Sequence, residues 1–254
     1  MMSWEWIPGL TLPALALLAL VVTIAYAVMG LTGFGATMFA LPLLALALPL
    51  KTAVPMMLLF DLLATASIGL TSRRQVQWRE LARLVPFMLL GMAAGLALLV
   101  NAPAQPLLLA LGVFVLANAA WNLAAPALRG AIGPWWALPV GSVGGVFSAL
   151  FGTGGPVYAI FLARRIADVG AVRATSATLI LLSASIRLVL YAGAGLYQQR
   201  GLVATALTLL PCAALGVWAG TKLHHALPPH RVRRVLFTVL AAAGLAVIGK
   251  GLSA

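Results

Sequence analysis

The sequence predicts an all-α polytopic membrane protein, with about ten membrane segments in two inverted five-segment repeats, each carrying a glycine-broken short helix. Three observations predict it. Of 254 residues, 63% are hydrophobic and 8% charged, and mean hydropathy is +1.08; a soluble domain carries about 25% charged residues. Ten apolar runs follow one another with only short loops between them. A glycine motif also occurs twice: GLTGFGATMFALP over Gly30 to Pro42 and ALFGTGGPVYAIF over Ala149 to Phe161, at an offset of 119 residues.

A helix that spans a bilayer needs about 20 apolar residues. The predicted segments are 11–30, 36–49, 53–71, 81–100, 105–122, 136–151, 155–164, 172–195, 202–222 and 232–250. The N-terminal MMSWEWIPGL has no basic stretch and carries Glu5, so Leu12 to Met29 is expected to stay as the first membrane helix rather than be cleaved. Segments 36–49 and 155–164 are too short to cross unaided, since ten helical residues reach only about 15 Å. Each follows a Gly-x-Gly elbow, Gly33-Phe34-Gly35 or Gly152-Thr153-Gly154, which is therefore expected inside the membrane. Broken backbone at that depth is tolerated only where it is buried in protein or lines a wet cavity. Paired breaks in corresponding positions point to a transporter's substrate site. The plain alternative is that these glycines only let helices pack closely.

The second half repeats the first. Gly33 and Gly35 match Gly152 and Gly154; further on, Pro86, Gly91, Gly95 and Pro103 match Pro211, Gly216, Gly220 and Pro228 at an offset of 125. The halves are 1–128 and 129–254, within one integral membrane unit. Five segments per half is an odd number, so two copies in series must lie in opposite senses. Basic residues orient the chain. With every segment returning it, one side receives Arg73, Arg74, Arg79, Arg83, Arg129, Arg164, Arg165, Arg173, Lys222, Arg231, Arg233 and Arg234, and the other only Lys51, Arg200 and Lys250. The rich side is cytoplasmic, and both termini are periplasmic. This bias requires segments 136–151 and 155–164 to bring the chain back to its starting side, by two crossings or as a re-entrant hairpin. Trp4, Trp6, Trp78, Trp135, Trp136 and Tyr197 fall at segment ends, as an interfacial belt does.

Composition excludes several functions. The net charge of +12 lies in topology-setting loops, not in a nucleic-acid surface. His224, His225 and His230, beside Arg231, Arg233 and Arg234, read as a solvated basic loop meeting anionic headgroups rather than a metal site; Arg73-Arg74 and Arg164-Arg165 read the same way. Glu80 is expected to pair with Arg79 or Arg83, and Asp168 with a neighbouring arginine. Cys212 forms no internal disulfide. There is no HExxH, no paired carboxylates in one segment, no nucleophile elbow, and the glycine stretch lacks a P-loop lysine. Neither an enzyme nor a primary pump is expected, and no cofactor or metal.

GLTGFGATMFALP, its echo FGTGGPVYAIFLA and the P-x4-G-x3-G run at Pro86-Gly91-Gly95 and Pro211-Gly216-Gly220 resemble the sulfite exporter TauE/SafE family, also called the TSUP permeases. The resemblance covers nearly the whole chain. Ala36 and Thr37 depart from it, standing where a further glycine is common. It implies a bacterial inner-membrane permease for small sulfur-containing or organic anions, such as sulfite, sulfoacetate and related carboxylates.

An anion in a bilayer needs positive potential without a charge that holds it too tightly. Helix N-termini supply this through free N–H groups and the dipole. Helices are predicted to begin near Ala36 and near Gly155-Pro156, so Gly33, Phe34, Gly35, Ala36, Gly152, Thr153, Gly154 and Gly155 are the candidate lining. Arg187 is the one basic residue deep in a segment, and such charges are rare and usually functional. It binds the anion, pairs with a buried acid, or snorkels to the interface. Ser176, Ser183 and Arg187 share one helix face. Asp61, the only acid deep in a segment, is a partner of Arg187, a proton-coupling carboxylate, or a cap for a broken helix. Transport coupled to a proton or sodium gradient, a passive anion channel and, in third place, a membrane enzyme stay open, as does oligomeric state, a homodimer included.

Overall fold

The computed structural model describes residues 7, 10–32, 35–68, 75–124, 130–223 and 229–253, and for 32, 65–68 and 229–235 only the backbone. Gly33, Phe34, Trp4, Trp6, Arg73, Arg74, Arg129, His224 and His225 lie outside the described residues, as do the side chains of His230, Arg231, Arg233 and Arg234. Among the described residues there are ten α-helices and two complete short 3-10 turns, and no strand. They are α1 Leu12–Thr32, α2 Ala36–Ala47, α3 Leu50–Ile68, α4 Trp78–Asn101, α5 Ala104–Ala124, α6 Ala137–Phe151, α7 Gly155–Ala163, α8 Val169–Gly193, α9 Leu202–Leu223 and α10 Pro229–Ser253. Each predicted segment is a helix. Among the described residues, seven helices are long and apolar enough to cross a membrane. At 1.5 Å per residue, α2 and α7 reach only about 18 and 14 Å.

The chain divides into two compact units. One comprises Met1–Phe60, Ala102–Pro126 and Gly195–Ala254; the other comprises Asp61–Asn101 and Ala127–Ala194. Both sequence halves contribute to each. In the first unit α1 packs along α9 and α5 along α10, with α2 against α1 and α10. In the second, α4 packs along α6, and α7 lies against α6 and α8.

The repeated glycines explain these pairings. A Cβ on Gly216 would run into the Thr23 carbonyl of α1, and one on Gly220 into that of Ala27. A Cβ on Gly91 would run into the Ser142 carbonyl of α6, and one on Gly95 into that of Val146. Ser142 and Val146 stand 119 residues after Thr23 and Ala27, the offset of the elbows; Gly216 and Gly220 stand 125 after Gly91 and Gly95. The same contact is thus made twice, each time between the first helix of one half and the fourth of the other. Lipid offers no hydrophobic drive between helices, so close backbone approach over small residues supplies the attraction. Gly112 on α5 and Gly244 on α10 face each other's carbonyls in the same way.

In the second unit α6 and α7 form an antiparallel hairpin with the glycine elbow at its tip. Going up α7, Gly154 lies against the Gly144 carbonyl and Ser148 Cβ, and the Tyr158 ring against Gly144. The open end is closed by arginines: Arg164 Nε donates to the Gly130 carbonyl at 3.0 Å and Arg165 Nη1 to that of Ile132 at 2.9 Å. The chain therefore leaves α7 beside where it entered α6.

Two expectations about that end need correction. Arg165 is not a free headgroup-facing charge: its Nε and Nη2 each donate to the Glu80 carboxylate at 2.9 Å. The fork geometry of guanidinium on carboxylate favours this pairing, and Glu80 holds Arg165 above the ordinary guanidinium range. Arg83, one turn along α4, is the second partner of Glu80. Asp168 pairs with no arginine among the described residues; its carboxylate accepts the Ala171 N–H at 2.6 Å and caps α8.

Candidate anion site at the glycine elbows

The two elbows differ in detail. In the first unit Gly35 carries the left-handed backbone, φ +91°, and sits directly before α2. Its carbonyl accepts the N–H groups of Met38 and Phe39, starting the helix. Ala36 and Thr37 are buried. At the far end of α2 the last carbonyls are capped by α10, where Lys250 Nζ donates to Ala45 at 2.9 Å and to Leu46 at 3.0 Å. A cation there complements the negative end of the helix dipole.

In the second unit the left-handed residue is Gly152, φ +70°, which ends α6. Its N–H donates to the Ser148 carbonyl at 2.9 Å, and the Thr153 N–H to that of Phe147 at 3.4 Å. These two amides finish α6. Gly154 is pressed against the α6 backbone, where a Cβ would lie 2.6 Å from the Gly144 carbonyl. Gly155 has ordinary space, its nearest neighbour being Ile180 at 3.5 Å from an added Cβ. The first bond of α7 runs from the Tyr158 N–H to the Gly154 carbonyl. The unused amides of the α7 start are those of Gly154, Gly155 and Val157, as at any helix N-terminus.

Ser148 ties this tip to α8. Its hydroxyl is 2.7 Å from that of Ser183, and its carbonyl accepts from Arg187 Nη1 at 3.4 Å. The next carbonyl, Ala149, accepts the Tyr191 hydroxyl at 2.6 Å. Arg187, only 3% exposed, thus sits at the negative end of α6. It does not snorkel. Its charge acts on the Tyr158 and Tyr191 hydroxyls, and Asp61, partly exposed on α3, also acts on that of Tyr191. The face predicted for α8 is present, since Ser176, Ser183 and Arg187 all turn inward. Thr178 and Ser185 instead bond their own helix.

Among the described residues of this unit, four side-chain polar atoms are buried without a hydrogen-bond partner: Thr153 Oγ1, Tyr158 OH, Ser176 Oγ and Arg187 Nε. Leaving one such group unsatisfied costs about 1–3 kcal/mol, so each calls for an explanation. The structure brings Thr153, Gly154, Gly155, Ser183 and Arg187 together around one helix tip. Gly35 and Ala36 stand at the other elbow, in the other unit. Sequence reasoning missed Ser148, Tyr158 and Tyr191; for Tyr158 the signal available was the one tyrosine in the second elbow motif, Ala149 to Phe161.

Residues 18–247 match the sequence model of the family described as sulfite exporter TauE/SafE. The chain belongs to the sulfite exporter TauE/SafE family. Within reach of this TauE/SafE chain is the "probable inner membrane transporter protein TsaS" of Comamonas testosteroni, 30% identical over 194 residues, which are 76% of this chain and 81% of that protein. No solved structure matches. Family and relative are both transporters by name, and the apolar helices make this one an integral membrane protein.

Proposed function

We propose that this protein is a secondary permease that moves small organic or sulfur-containing anions, such as sulfite, sulfoacetate and other organosulfonates, across the bacterial inner membrane. The anion is held by the helix N-terminus that follows a glycine elbow. In the second unit the lining is Thr153, Gly154, Gly155 and Arg187, with Gly152 ending α6 and setting the turn; Gly35 and Ala36 hold the corresponding positions in the first unit. The observation that carries this reading is the buried, half-used guanidinium of Arg187 beside the start of α7, with the Thr153 hydroxyl also unspent. Arg187 does two things here: one nitrogen holds the end of α6, and Nε–H faces the anion.

The duplicated glycine contact of α1 with α9 and α4 with α6 supports two inverted five-helix repeats. In that arrangement both termini are periplasmic and the basic loops cytoplasmic, the orientation that the basic-residue bias favours; the inner membrane is the location in the relative's name. Asp61 is the candidate for coupling to a proton or sodium gradient.

Uptake of labelled sulfite and sulfoacetate into proteoliposomes tests the reading. The wild type is expected to carry at least one of them. Arg187→Lys, which keeps the charge but loses the planar fork, should reduce apparent affinity by about 10- to 100-fold, the equivalent of one charged hydrogen bond. Thr153→Val should lower it less. Full transport by both variants sinks the site. Flux that ignores imposed proton and sodium gradients makes the protein a facilitator, and Asp61→Asn with unchanged pH dependence removes coupling through that carboxylate.

A further inference from the structure

The Tyr158 side chain is 1% exposed, and its ring is seated in a notch that only glycine permits, against Gly144 on α6 and Gly154 at the elbow. Packing alone would be served equally by phenylalanine. The hydroxyl is the part that packing does not explain, and it has no partner among the described residues. Buried tyrosine hydroxyls nearly always find one. The other buried tyrosine of this unit, Tyr191, does so through the Ala149 carbonyl. Tyr158 is also close enough to Arg187 to feel its charge.

We propose that the Tyr158 hydroxyl is a ligand donor, which joins Thr153 Oγ1 and Arg187 Nε at the tip of the α6–α7 hairpin and selects multi-oxygen anions over spherical ones. The proposal rests on the permease reading and adds a residue to it. The three donors come from three places: the elbow, the first turn of α7 and the last third of α8. Each needs an acceptor of its own. An oxyanion offers separate oxygens in separate directions; a halide offers one centre, which strong directional donors cannot share equally. Ser176, the fourth unpartnered atom, is 11 residues from Arg187 along α8, about 16 Å, and is left out of the site.

Tyr158→Phe separates this from a structural role, because the two predict opposite signs. Purified wild type, Tyr158→Phe and Thr153→Val are melted in detergent, alone and with sulfite, sulfoacetate or chloride at constant ionic strength. If the hydroxyl serves the ligand, the unliganded Tyr158→Phe protein melts at or above the wild-type temperature. Its sulfite or sulfoacetate affinity then falls about 10- to 100-fold, as for one lost hydrogen bond to a charged group, with any chloride response unchanged. Wild-type affinity in Tyr158→Phe overturns the proposal: water, not the anion, satisfies the hydroxyl. A lower melting temperature without ligand also overturns it, because the hydroxyl then has a structural partner. In either case a weakened Thr153→Val leaves the permease site standing. If the wild type responds to neither oxyanion, both readings fall.

Discussion

Glu80 and Arg165 illustrate how a single carboxylate can hold a substructure. Glu80 is one of four acidic residues in the chain, and it receives Arg165 in a two-nitrogen fork and Arg83 beside it. Arg165 also reaches the Ile132 carbonyl, so the carboxylate closes the open end of the hairpin at one remove. The side chains are 10% and 18% exposed, too sheltered for the pair to count as an ordinary surface bridge. Glu80→Gln leaves two guanidinium groups facing a neutral amide. We expect a loss of about 1–3 kcal/mol in stability, read as a lower melting temperature in detergent, with Arg165→Ala close behind. Equal melting temperatures would make the pair decorative. Nothing in the sequence pointed to Arg165, because the pairing joins residues 85 apart and the neighbouring Arg164 reads identically.

At the level of helices, the sequence was most informative where physics leaves least choice. Apolar length located all ten segments, and the shortness of 36–49 and 155–164 gave α2 and α7 directly. The P-x4-G-x3-G run identified the repeat but hid its purpose. Gly91, Gly95, Gly216 and Gly220 face neighbouring backbones, which becomes apparent only once the partner helix is known. The elbow glycines divide similarly: Gly35 and Gly152 are required by a positive φ, whereas Gly154 is required by the α6 backbone beside it. Gly220→Leu should force α9 away from α1 and cost about 1–3 kcal/mol or more; Gly95→Leu should do the same to α4 and α6. Gly249→Leu, where nothing lies within 4 Å of an added Cβ, is the matched control. Comparable melting temperatures for all three would remove the packing role. A milder effect is expected at the end of α2. Lys250→Met takes the cation from the Ala45 and Leu46 carbonyls, worth about 0.3–1 kcal/mol, and should appear as faster amide exchange in the last turn of α2 rather than as global unfolding.

For the whole molecule, the decisive question is whether the two halves lie in opposite senses. One constraint favours it. The odd number of helices per half requires it if every segment returns the chain, and the α6–α7 hairpin does return it, since Arg164 and Arg165 bond the carbonyls of Gly130 and Ile132. In the orientation proposed above, Arg173, near the start of α8, is cytoplasmic and Lys51, near the start of α3, is periplasmic. These helices are the third of each half, so inverted repeats must start them from opposite faces, while parallel repeats must start them from the same one. Both positions are exposed, and the one cysteine, Cys212, can be replaced by serine. In that background a membrane-impermeant maleimide should reach Lys51→Cys in right-side-out vesicles and Arg173→Cys only in inverted ones. Labelling of both from one face would make the halves parallel.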